Sequence, residues 1–167
     1  MENKKVIYAA YGSNILKERF LIYIYGGFYR GKNYKGCNEK TDPISIGYVY
    51  VPYKLYFAKN SETWDNGGIA FLSKNEEKNS YYHSIVRLWE ITENQFNKIW
   101  EQEGINLYKL LLKLGEINNK KILTFTGDYE NEKNKPSESY IKVIKKGIKE
   151  ITGWKDIEIN KYISKFF

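Results

Sequence analysis

The sequence predicts an α+β fold, and three observations predict it. Seven short runs (6–11, 46–51, 54–58, 69–72, 84–91, 107–114 and 121–126) are rich in tyrosine and branched residues, the composition that suits a pleated, half-buried surface. Two stretches, 92–100 and 137–151, instead repeat their apolar residues every third or fourth position, as one face of a helix does. Glycine, asparagine and proline fall between these runs and supply turns. A chain of 167 residues with 42% hydrophobic content is long enough for one core and short for two, so a single domain spanning 1–167 is expected.

Taken in order, residues 6–11 read as a buried strand, and Gly12-Ser13-Asn14 forms a tight turn into a helix that begins at Ile15, with Ser13 or Asn14 as its N-cap. Residues 26–43 hold Gly26, Gly27, Gly31 and Gly36 together with Asn33 and Asn38, and are expected to be irregular. Pro52 separates two strands or bends one. "TENQFNKIW" fits a helix with Thr92 and Gln95 in capping-box spacing and Phe96, Ile99 and Trp100 on one face, stopped by Gly104. "GEINNK" turns one strand into the next. Ser137 can cap a helix carrying Tyr140, Ile141, Ile144, Ile148 and Ile151, in which Glu138 can pair with Lys142. Gly153 ends it, and Asp156 can cap a short final helix.

Composition also excludes functions. One cysteine, Cys37, makes no internal disulfide, and one histidine, His83, gives no cluster for a structural metal, so neither metal nor cofactor is expected. No run of about 18 apolar residues suggests a membrane span, and Met1 to Lys5 leads into strand-like sequence without a signal-peptide core. A cytoplasmic protein with no membrane partner is the expectation. The net charge of +7 is spread along the chain among glutamates, which suits solvated faces better than a nucleic-acid surface. The 16 tyrosines are expected to fill a sheet-rich core.

Two places could carry chemistry. At the Gly12-Ser13-Asn14 turn, unpaired N–H groups and a helix start favour a small carboxylate; glycine admits a ligand close to the backbone, and Ser13 and Asn14 add side-chain donors. The turn matches neither a Walker A loop nor a nucleophile elbow, and Ser13 could act as a nucleophile only with His83 as its base. The second place is "EQEG", where Glu101 and Glu103 sit at the C-terminal end of a helix whose dipole raises a carboxyl pKa toward the range useful for proton transfer. Position alone leaves the two glutamates tied.

"YAAYGSN" (8–14), "VPYKLYF" (51–57), "TWDNGGIAF" (63–71), "VRLWEIT" (86–92), "EQEG" (101–104) and "KPSESY" (135–140) occur in an order that resembles the gamma-glutamylcyclotransferase-like family over most of the chain. The resemblance implies a mixed β-barrel flanked by helices, with a ligand cavity at one mouth. It assigns the acid/base to Glu103, the substrate cradle to Tyr8, Tyr11, Gly12 and Ser13, and a pocket-closing role to Tyr140. The implied reaction closes a gamma-glutamyl group onto itself, giving 5-oxoproline and a free amine or amino acid, with no cofactor. Residues 26–43 have no counterpart in the pattern, which leaves the leaving group open. The alternatives are a non-catalytic small-molecule binding module on the same fold and a nucleic-acid binder using lysines and tyrosines. Oligomeric state is not legible.

Overall fold

A computed structural model describes residues 4–167. At its centre lies β1 (Lys5–Ala10), buried from Val6 to Ala10, which is why this strand reads as a continuous apolar run rather than an alternating one. It pairs antiparallel with β7 (Ser84–Thr92) and parallel with β9 (Lys120–Thr126). Outside these lie β4 (Ile44–Val51) on β7 and β8 (Leu110–Ile117) on β9, so the sheet runs β4-β7-β1-β9-β8. Two hairpins stand apart from it, β2 (Gly27–Tyr29) with β3 (Lys32–Tyr34), and β5 (Leu55–Ser61) with β6 (Gly67–Leu72).

The α+β class is as expected, but the strands do not close a hydrogen-bonded barrel. No ladder joins the β5–β6 hairpin to the five-stranded sheet among the described residues. The Thr126 hydroxyl at the end of β9 substitutes for one, accepting from Leu72 N at 2.9 Å and donating to Leu72 O at 2.8 Å. Tyr56 adds a bond from its hydroxyl to Gly127 O at 3.0 Å.

Helix signals were legible where a cap is built from sequence neighbours. Helix α2 (Glu93–Glu103) has the complete capping box, with Gln95 N donating to Thr92 Oγ1 at 3.1 Å and Thr92 N to Gln95 Oε1 at 3.0 Å, and Gly104 ends it at φ 109°. Helix α3 (Glu138–Thr152) is capped by Ser137 through Tyr140 N and ended by Gly153. The "NN" turn between β8 and β9 has φ of 50° and 64° at Asn118 and Asn119, a left-handed pair that fits the twist of a tight hairpin.

Other expectations need correction. Ser13 and Asn14 cap nothing: Ser13–Ile15 is a 3-10 turn, and α1 (Lys17–Tyr25) starts after an extended Leu16 with no side-chain cap. Residues 26–43 are not wholly irregular, since they contain the β2–β3 hairpin. β8 begins at Leu110, and the preceding Leu107 and Tyr108 bond back to Gly104 O in a turn. The final helix α4 (Asp156–Ser164) contains Asp156 in its first turn, and Glu158 rather than Asp156 accepts the Lys155 N–H at 3.3 Å. Glu138 makes no ion pair with Lys142 within 4 Å. No helix among the described residues is long and apolar enough to cross a membrane.

Candidate active site

The end of β1, the 3-10 turn, α1, the C-terminal end of α2 and the start of α3 converge on one cavity of about 150 Å³. Tyr8, Tyr11, Gly12, Ser13, Asn14, Glu103 and Tyr140 all line it. β7 holds the turn in place from behind. Trp89 Nε1 donates to Asn14 O at 3.0 Å, and the buried Arg87 donates to Ile15 O at 2.7 Å while pairing with Glu150. With those carbonyls tied to β7, the Ser13 and Asn14 side chains are left on the cavity side. The N–H groups of Ser13 and Asn14 precede the first bond of the turn, Ile15 N to Gly12 O, so the turn itself takes neither.

Asn14 is the junction of the site. Its Nδ2 donates to the Tyr8 hydroxyl and to Glu103 Oε1, both at 3.2 Å, while its Oδ1 is buried and has no partner. The Ser13 hydroxyl makes no hydrogen bond to any described residue. Tyr11 spends its proton on Phe125 O at 2.7 Å and serves as a wall. Tyr8 stacks on Phe125 with ring centroids 5.7 Å apart, and burial holds its hydroxyl neutral by raising its pKa far above the ordinary value. Tyr140 accepts from Ala70 N at 3.0 Å, which leaves its own proton for a ligand.

Close backbone approach puts Tyr140 there. A Cβ on Gly68 would lie 2.1 Å from Asn134 O, and one on Gly67 would lie 2.5 Å from Ser137 N, so the two glycines let β6 lie directly against the segment that starts α3. The same economy holds at Gly12, where a Cβ would stand 3.1 Å from the Tyr140 hydroxyl.

The two glutamates lie in different surroundings. Glu101 is exposed, pairs with Lys98 at 3.2 Å and lies outside the cavity. Glu103 is half-buried and faces in, the only carboxylate that lines the cavity among the described residues. Burial raises its pKa above the ordinary carboxyl value; the nearby Arg19 charge, a hydrogen bond from the Tyr23 hydroxyl, Lys32 and Asn14 oppose the shift without cancelling it. His83 binds Glu77 O at 2.8 Å and does not line the cavity, so Ser13 has no histidine base.

The residues that sequence reasoning missed are the cations and their aromatic housing. Arg19 is only 2% exposed, and its Nη2 donates to the hydroxyls of Tyr23 at 2.9 Å and Tyr34 at 3.0 Å. Its guanidinium carbon lies 4.4 to 5.7 Å from the ring centres of Tyr29, Tyr23, Tyr34 and Trp64. Among the described residues it has no carboxylate within 4 Å, and its Nε and Nη1 have no partner. Tyr23 accepts from Arg19, and the Arg19 charge and the Tyr23 hydroxyl both favour the ionised form of Glu103. The signal available was spacing: Arg19 and Tyr23 are four apart on one helix face. Lys32 and Tyr34 reach the cavity from β3, because Gly36 N bonds Gln102 Oε1 at 3.0 Å and Cys37 N bonds Ile24 O at 2.9 Å, pinning the 26–43 segment across α1 and α2.

No family model matches the chain. Among curated proteins it is similar to "Histone deacetylase 5" of Arabidopsis thaliana, 38% identical over 106 residues, which is 61% of this chain and 16% of that protein. The chain therefore spans a small part of that relative's length. Among solved structures it is similar to a gamma-glutamyl cyclotransferase, with TM-score 0.72 and 22% identity over 96% of this chain and 88% of the other. An uncharacterized protein from Homo sapiens gives TM-score 0.70 and 22% identity over the same shares. YkqA from Bacillus subtilis gives TM-score 0.62 and 17% identity, covering 97% of this chain and 54% of its own. The chain has the fold these proteins share.

Proposed function

We propose that the chain is a cofactor-independent cyclotransferase that closes a gamma-glutamyl group to 5-oxoproline and releases the amine or amino acid attached to it. The observation that carries this is Glu103, a lone inward-facing carboxyl of raised pKa, hydrogen-bonded to Asn14 of the turn that forms the opposite wall. A fold shared with a gamma-glutamyl cyclotransferase is consistent with it.

On this proposal the α-ammonium of the substrate sits between the Glu103 carboxylate and the unpartnered Asn14 Oδ1, and its α-carboxylate meets the turn and the Arg19 guanidinium. Glu103 takes one proton from the ammonium. The freed amine attacks the γ-carbonyl carbon and the new C–N bond closes the five-membered ring; Glu103 passes its proton to the amide nitrogen, the old C–N bond breaks, and the second proton of the attacking nitrogen leaves it through Glu103 for the departing amine, which is released as an ammonium. The Tyr140 and Ser13 hydroxyls are the donors positioned for the oxyanion that forms between these steps. Because nucleophile and electrophile belong to one molecule, the protein's share is to hold the ring-closing conformer and carry protons from the attacking to the departing nitrogen.

Incubating the purified protein with a panel of gamma-glutamyl amino acids and gamma-glutamyl amines, followed by mass spectrometry, should show 5-oxoproline. Binding without any 5-oxoproline would instead make the chain a non-catalytic module.

A further inference from the structure

The cavity has an inner and an outer cation, and only the inner one is used by the proposed reaction. Arg19 is buried, whereas Lys32 is exposed and lines the cavity from β3, with Asn60 as a second exposed lining residue. Among the described residues Lys32 has no carboxylate partner within 4 Å, and its ammonium rests over the Tyr34 ring, 4.9 Å from the centroid. Tyr34 is in turn fixed by Arg19. The outer lysine therefore stands on a built platform, and its charge is felt inside the cavity, where it helps hold Glu103 ionised.

Charge decides what such a mouth prefers. Two cations against one carboxylate leave the lining with a net positive charge. The glutamyl head, one ammonium and one carboxylate, is neutral overall and cannot offset it. A leaving group bearing a carboxylate offsets it, and an uncharged amine does not.

We infer that Lys32 is a specificity-determining residue that receives a carboxylate on the leaving group, so that gamma-glutamyl compounds of amino acids are favoured over those of neutral amines. This rests on the cyclisation proposed above and assigns a role to the 26–43 segment. An exposed ammonium is screened by salt, so the preference should shrink as ionic strength rises.

The test compares gamma-glutamyl-alanine with gamma-glutamyl-ethylamine, reading the ratio of their kcat/KM values from 5-oxoproline release. Wild type should favour the alanine compound by about fivefold or more, a size expected of one partly exposed charge pair. Lys32→Met should bring the ratio near one, Lys32→Glu should invert it, and Lys32→Arg should restore it. Lys35→Met, an exposed lysine of the same segment that does not line the cavity, should leave the ratio as in wild type. A ratio unchanged in Lys32→Met and Lys32→Glu, with 5-oxoproline still formed, overturns the inference and leaves the cyclisation standing. If neither compound yields 5-oxoproline, the cyclisation fails. Calorimetric binding of the same two compounds to wild type and Lys32→Met then decides the lysine's role separately: an equal affinity ratio in the two proteins overturns it, and a ratio lost in Lys32→Met supports it.

Discussion

At the scale of single residues the site is a problem of charge in a confined space. Glu103 is less comfortable ionised than an ordinary surface glutamate, because burial outweighs the help of Arg19, Tyr23, Lys32 and Asn14. A carboxyl whose pKa is raised on folding stabilises the folded state most at pH values below the unfolded pKa, and that contribution is lost as pH rises through the folded pKa. Glu103→Gln should therefore raise the melting temperature relative to wild type at pH 7, and the gain should shrink toward pH 4. A gain that is the same at both pH values would mean that the carboxyl is not held above its ordinary pKa. Arg19 is the largest influence holding that pKa down. If activity needs the ionised carboxylate, Arg19→Met should shift the acid limb of the pH–rate profile to higher pH, provided the variant is folded by circular dichroism. A limb that stays put, or moves to lower pH, would mean that the Arg19 charge does not act on Glu103.

At the scale of elements the site depends on how closely backbone segments meet. The turn is clamped by Arg87 and Trp89 of β7, and Gly12 leaves just enough room for the Tyr140 hydroxyl, which lies 3.1 Å from where a Cβ would be. Gly12→Val should push Tyr140 from Ala70 or fill the cavity, and so weaken binding of a gamma-glutamyl ligand at least tenfold in calorimetric titration. Unchanged affinity in a folded variant would remove the turn from the site. The sequence shows such elements unevenly. Thr92 with Gln95, and Ser137, were legible as caps because their partners lie within three residues. Ser13 and Asn14 look the same by composition, yet Asn14 turns its amide to Glu103, 89 residues away, and no local rule could anticipate that. Arg19 was invisible for a related reason: a charged residue on a helix is ordinarily solvated, and here aromatic rings contributed by four separate elements enclose it.

At the scale of the whole molecule, the strands and helices were legible because their periodicities differ, and the sheet order was not, because β1, at the start of the chain, takes both its partners from the second half. The resemblance in the ordered motifs supplied what periodicity could not, the meeting of residues 8–14, 103 and 140 in one place. Tyr8, Tyr11, Gly12, Ser13, Asn14, Glu103 and Tyr140 all line the same cavity. The central claim is that Glu103 moves the proton in that cavity, and turnover of a gamma-glutamyl substrate by Glu103→Gln, with Glu101→Gln as the control, tests it most directly. General acid/base catalysis contributes about 10²-fold to 10⁴-fold, so Glu103→Gln should release 5-oxoproline at least a hundredfold more slowly than wild type while Glu101→Gln stays within a few-fold. Release at the wild-type rate by Glu103→Gln would contradict the account.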